Sequence, residues 1–443
     1  MPAIRIRLRT AWVAAVVLAV WFAAPAGQAE TRSTLRFGPP VLVSPDVAWT
    51  WEPTLLIDRF GNVLIAARKN LEQLVLAPDP RSPTLTRSMS WLWISTDGGK
   101  TFDNMHGYPL DLENHSWGYE SDIALDDAGH LYQVDQTYLD STIARWTITG
   151  RGTYRFDYFR PFIPTAQPID DRPWLAAHGS KSLIYLSQAG APFLNPFGRG
   201  GGEAYGPGRY SVHHSGDGGS SFDLIGHSLN NSGACRPAAD HRRGSRLLYI
   251  VCTNDAGKLW AFVSDDDGTS YQRFRVGSYN RRGETFDWPL VTVGPNGDVW
   301  ALHVDADEVR GSEIITNRLN LYHSSDRGRT WSLQDITRRE GRYRWGGLAV
   351  SSKGRLGLAI QHRPNADTPW RVYAASFRPG SIPTLVSVDE AHPVYGAENP
   401  EPPSEICGVA FAGDGSLAVA WTRMEAFGPY EVPRVYFARS VQR

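Results

Sequence analysis

The sequence predicts an all-β chain, a β-propeller of seven four-stranded blades. Three observations carry this expectation. A hairpin signature recurs seven times, each copy with a glycine at its turn. Sustained apolar helical periodicity is absent between the copies. The composition favours strands and turns, with 43 Gly and 30 Pro beside 16 Trp, 18 Tyr and 17 Phe.

Charged residues make up 21% of the 443 positions and hydrophobic ones 42%, which excludes a disordered or fibrous chain. A net charge of −1 argues against a broad basic surface for nucleic acid.

The first element is an address. Arg5, Arg7 and Arg9 precede an uncharged apolar run from Ala11 to Ala24, and Gly27-Gln28-Ala29 offers small residues for cleavage. This is the pattern of a secretory signal peptide over residues 1–29. The apolar run is shorter than the ~20 residues that span a bilayer. Cleavage would leave one domain over residues 30–443, secreted to the exterior or the periplasm. No later segment is long and apolar enough to cross a membrane, and a monomer is expected.

The seven hairpins run from Glu52 to Arg68, Ser121 to Gln136, Arg172 to Gln188, Cys235 to Thr253, Asp287 to Val304, Gly346 to His362 and Ile406 to Arg423. Their turn glycines are Gly61, Gly129, Gly179, Gly244, Gly297, Gly354 and Gly415, spaced 50 to 68 residues apart. Tight hairpin turns need positive φ, which glycine supplies. Each interval has room for four strands, so the copies read as blades around a channel. Six blades is the alternative count. The last copy has only one further strand, Arg434 to Ser440, before the chain stops. Thr34 to Ser44 can supply the missing outer strand and close the ring.

Cys235 and Cys252 straddle one turn almost symmetrically, which faces them across two strands as a disulfide. Cys407 is left as a buried free thiol.

Four segments share Ser-x-Asp-x-Gly-x-Thr/Ser-aromatic: Ser95 to Phe102, Ser215 to Phe222, Ser264 to Tyr271 and Ser324 to Trp331. Asp can accept backbone N–H bonds inside such a turn, and the aromatic can pack beneath it. These look like Asp-boxes, or BNR repeats, between the third and fourth strands of a blade. The chain therefore resembles the sialidase superfamily of β-propellers over nearly all of residues 30–443. Asp97, Asp217, Asp266 and Asp326 are then scaffold residues.

In such blades the hairpin turns and Asp-boxes share one end. The starts of the first strands and the ends of the second strands share the other. That second end carries Glu52, Glu120, Asp122, Asp171, Asp287 and Glu405. It also carries Arg68, Arg172, Arg236, Arg344, Arg363 and Arg423, with Trp174, Trp288 and Trp345 nearby. Acids, guanidiniums and indole faces at one mouth suit a sugar.

The resemblance implies three Arg for a substrate carboxylate, a Tyr nucleophile paired with Glu, and an Asp acid. Tyr119, Tyr138 and Tyr395 are candidates for the nucleophile, Glu120 or Glu405 for its partner, and Asp122 for the acid. Two features depart from the family. Its early Arg-Ile-Pro signature is missing, with only Phe159-Arg160-Pro161-Phe162-Ile163-Pro164 as an echo, and sialidases have six blades. Paired carboxylates among Glu52, Asp122, Asp171, Asp287 and Glu405 are the other route to glycoside hydrolysis.

No cofactor is expected, although His303-Val304-Asp305-Ala306-Asp307-Glu308 could hold calcium. The leading expectation is a secreted sialidase-like propeller that binds glycans at the channel mouth, with catalysis left open; if it is an enzyme, it is an exo-glycosidase of the sialidase type. A non-catalytic lectin-like or protein-binding propeller is the runner-up, and a lyase or lactonase comes third.

Overall fold

A computed structural model describes residues 35–43, 50–69, 90–105, 120–136, 141–162, 170–189, 209–223, 227–229, 233–254, 256–280, 288–310, 313–427 and 430–441. The segment read as a signal peptide lies outside these residues.

The described strands form seven four-stranded sheets. Their first strands are Thr50–Ile57, Glu120–Leu125, Asp170–His178, Cys235–Ala239, Leu290–Val293, Arg342–Val350 and Gly408–Phe411. We number the blades 1 to 7 in that order. All seven first strands line one central channel, so the sheets are radial blades. Neighbouring strands pair antiparallel, as in blade 4, where Cys235 lies opposite Cys252 and Ala239 opposite Leu248. The seven turn glycines all have positive φ, from 64° at Gly179 to 96° at Gly129.

Each blade buries both faces against its neighbours. Blades 5 and 6 share Leu302, Leu321, Leu358 and Ile360, and blades 7 and 1 share Leu55, Ile65, Ala420 and Phe437. Second strands are therefore buried along their length: Leu248–Thr253 and Leu356–Arg363 are buried at every position, and the latter turns polar only at its Gln361-His362-Arg363 end. Outer strands such as Ser332–Asp335 are short and polar, which suits an exposed edge.

The ring closes as expected. Val41 and Leu42 pair with Phe437 and Tyr436, so an N-terminal strand forms the outer edge of blade 7. Gly38 N–H donates to the Arg439 carbonyl at 3.0 Å, and Val441 N–H to that of Arg36 at 2.9 Å. Closure is reinforced by the Asp-box of blade 1. Gly99, at φ 94°, lies so close to Phe437 that an added Cβ would fall 2.0 Å from its ring.

Asp-boxes join the third and fourth strands of blades 1, 3, 4 and 5. Asp326 shows their chemistry. It accepts hydrogen bonds from Ser324 Oγ (2.8 Å), Arg329 N (3.1 Å), Thr330 N (2.9 Å) and Thr330 Oγ1 (2.6 Å). The bonds from Thr330 lead in holding its carboxyl down to about 2. Trp331 donates its indole N–H to the Gly328 carbonyl at 2.9 Å. These carboxylates are committed to turns, as scaffold residues should be.

Candidate functional site

The first strands of the blades begin at one end of the channel, and their first residues meet there. Leu175 N–H donates to Asp122 Oδ2 at 2.9 Å, linking blades 2 and 3. Burial pushes the Asp122 carboxyl up to about 6, while the nearby Arg236 guanidinium and the Leu175 and Ile123 N–H groups pull it down. The Arg236 guanidinium itself sits over the Trp174 ring, 3.5 Å from its centroid.

Two contacts skip a blade. Trp174 of blade 3 meets Trp288, at the start of blade 5, edge to face with centroids 5.6 Å apart. Trp288 then donates its indole N–H to Glu405 Oε2, on the approach to blade 7, at 3.2 Å. Trp345 of blade 6 and Ile406 join the same buried cluster. The structure thus brings together Asp122, Trp174, Arg236, Trp288, Trp345 and Glu405, residues read separately from six hairpins. The tryptophans are more deeply buried than a set of open sugar platforms, at 2% to 9% exposure.

Local backbone irregularity aims several of these side chains. The pairing of first and second strands shifts register between Trp51 and Thr54, between Asp171 and Trp174, and between Arg344 and Gly346. Such bulges re-aim side chains beside functional sites. Glu52 and Trp345 lie within them at φ 55° and 35°, a conformation that costs bulky residues about 1–3 kcal/mol. Buried Glu52 faces Arg68 at 3.2 Å, and Arg68 lies over the Trp51 ring at 5.3 Å.

The remaining described arginines are also engaged. Arg344 lies 4.2 Å over Trp345 and pairs with Glu401 at 2.9 Å. Arg363 donates to the Asn399 carbonyl at 3.1 Å, and Arg423 pairs with Asp389 at 3.0 Å and with Glu425. Sequence reasoning missed Arg342, Glu401 and Asp389. Arg342-Tyr343-Arg344 alternates on a strand, which places both guanidiniums on one face; that signal was legible.

Other expectations fall elsewhere. Tyr119, Tyr138 and Asp287 lie outside the described residues, and Glu120, Asp171 and Arg172 are described only in their backbone. Tyr395 pairs its backbone with that of Trp370, and burial raises its phenol, which disfavours the phenolate. The disulfide between Cys235 and Cys252 is present, and Cys407 is free and buried.

The suggested calcium segment is otherwise occupied. The His303 ring lies 4.8 Å from that of Tyr279, Asp305 accepts the Asn280 N–H at 2.7 Å, and Asp307 pairs with Arg318 at 2.5 Å. Among the described residues, no group of three or more His, Cys, Asp or Glu side chains is placed to hold a metal ion.

A cavity of about 1220 Å³ lies in the channel. Its lining runs from Leu55, Ile123 and Leu175 to the turns at Arg59, Gly129, Gly179 and Gly244, and includes none of the clustered site residues. The cavity has ionisable groups of its own at the turn end, among them Asp126, Asp127, His241 and Arg243.

No family model matches the chain, and no curated protein matches it. Solved structures do. A protein of unknown function from Dyadobacter fermentans is 13% identical, with a TM-score of 0.50 over 92% of this chain and 99% of that one. An α-L-arabinanase of Penicillium chrysogenum, complexed with arabinobiose, is 13% identical, with a TM-score of 0.46 over 91% and 98%. A sialidase of Streptococcus pneumoniae is 13% identical, with a TM-score of 0.48 over 92% of this chain and 71% of that one. At these identities the likeness is one of fold alone.

Proposed function

We propose that this propeller binds neutral glycans at the end where its first strands begin and hydrolyses their glycosidic bonds with paired carboxyls. The observation that supports this best is the contact of Trp288 with Glu405, which gathers acids and a guanidinium of several blades above one cluster of indoles. Asp122 is the acid: a carboxyl pushed up to about 6 keeps its proton in mildly acidic solution. It would give that proton to the glycosidic oxygen as the bond to the anomeric carbon breaks. Glu405 supplies the second carboxyl, which attacks the anomeric carbon or takes a proton from the attacking water.

A neutral sugar fits better than sialic acid. Arg68, Arg344 and Arg423 already face the protein's own carboxylates, so an anionic substrate would have to compete with Glu52, Glu401 and Asp389. Secretion through the N-terminal segment belongs to the same proposal and rests on the sequence pattern alone.

The test is a panel of fluorogenic neutral glycosides and a sialoside, offered to the purified chain and to Asp122→Asn. The expected result is cleavage of a neutral glycoside that the variant has lost. Cleavage of the sialoside alone would refute the neutral reading. No cleavage, with no binding on a glycan array, would refute the glycan reading altogether.

A further inference from the structure

Residues 399–405, Asn-Pro-Glu-Pro-Pro-Ser-Glu, carry no regular secondary structure, and three prolines deprive them of backbone donors. Side chains of blade 6 hold them instead. Arg363 and the Trp370 indole donate to the Asn399 carbonyl at 3.1 and 3.3 Å. Arg342 donates to the Pro400 carbonyl at 3.2 Å, and Gln361 to the Ser404 carbonyl at 2.7 Å. Glu401 Oε1 accepts a hydrogen bond from Arg342 Nη2 at 2.6 Å, and Oε2 forms an ion pair with Arg344 Nε at 2.9 Å. The anchoring residues form a block, because Arg342 lies opposite Arg363 and Arg344 opposite Gln361 at the paired ends of two strands.

This strap leads to Glu405, which accepts the Trp288 indole N–H at 3.2 Å. The same Arg344 that grips Glu401 also lies over Trp345, whose backbone has positive φ. One carboxylate is therefore tied to both ends of the cluster.

We propose that Glu401 is a positioning residue: through Arg342 and Arg344 it fixes the strap, and so sets where the Glu405 carboxyl and the Trp345 ring stand. The two guanidiniums are nearly buried while Glu401 is the more exposed partner, with side chains at 9%, 5% and 39%. Removing its carboxylate leaves the nearly buried Arg342 with the Pro400 carbonyl and the Trp370 ring but no carboxylate of the strap, and the strap loses its central tie. Its effect on hydrolysis rests on the glycan-hydrolase reading; its control of Glu405 does not.

The experiment compares wild type, Glu401→Ala and Glu401→Gln by hydrogen exchange and by steady-state kinetics. In Glu401→Ala, amides at Ser404, Glu405 and Ile406 should exchange at least about tenfold faster, while those of the second strand of blade 6 keep their protection. Glu401→Gln, which retains an acceptor of the same length, should recover part of that protection. With a cleaved glycoside in hand, kcat should fall about 10- to 100-fold in Glu401→Ala, with KM little changed. Unchanged exchange at Glu405 in Glu401→Ala would overturn the proposal even if no glycoside is cleaved. Faster exchange in the strap with kcat on a cleaved glycoside untouched would overturn it as well.

Discussion

Trp288 and Glu405 stand 117 residues apart in sequence and 3.2 Å apart in space. One precedes the first strand of blade 5 and the other leads into blade 7, so their hydrogen bond joins blades that are not neighbours in the ring. It places a carboxyl oxygen beside the indole that also meets Trp174, and the Trp174 ring carries Arg236.

Asp122 should make the protein less stable above its own pKa. A carboxyl raised from 3.8 to about 6 on folding binds its proton more tightly in the folded state. Its contribution is fully present below pH ~4, is lost as pH rises through ~6, and amounts to about 3 kcal/mol. Asp122→Asn should match the wild type near pH 4 and exceed it near pH 8 in urea unfolding. Equal stability at both values would contradict the burial account.

Asp326 should matter to stability alone. Asp326→Ala removes an acceptor of four hydrogen bonds in an exposed turn, at a cost of about 1–3 kcal/mol. Thermal unfolding should register the loss, and KM for any cleaved glycoside should stay where it was.

Gly99 should tolerate no side chain. A Cβ there meets the Phe437 ring on a backbone at φ 94°. Gly99→Ala should destabilise the closed ring by about 2–4 kcal/mol. A fall of this size in denaturant midpoint would support blade 1 holding the closing strand; a neutral effect would not.

The disulfide should contribute through the chain it closes. Cys235 and Cys252 are 17 residues apart and lie opposite each other in blade 4. Replacing both by Ser should cost about 3 kcal/mol, measurable as a lower melting temperature. Because Arg236 follows Cys235 directly, any activity should fall with it.

The fold was legible because it is local and repeated. Gly61 and its six counterparts fix turns by their own φ, and Asp326 closes its box within a few residues. The position of Cys252 opposite Cys235 follows from counting along one hairpin. The site was legible only as a set of candidates. Nothing local announces that Trp288 reaches Glu405, because the contact depends on how a proline-rich strap crosses blade 6. Glu401 was missed for the same reason: its partners Arg342 and Arg344 lie in the preceding blade. The sequence places Trp174 and Trp288 near one mouth but does not show that they meet each other edge to face.

The central claim is that Asp122 is the proton donor in hydrolysis of a neutral glycan, and the pH dependence of kcat/KM tests it most directly. For the wild type, kcat/KM on the best neutral glycoside should decline as pH rises through about 6, the value to which burial pushes Asp122. In Asp122→Asn the rate should drop by about 10²- to 10⁴-fold and that decline should vanish. A decline near pH 6 that persists in Asp122→Asn would assign the proton to another group and contradict the account.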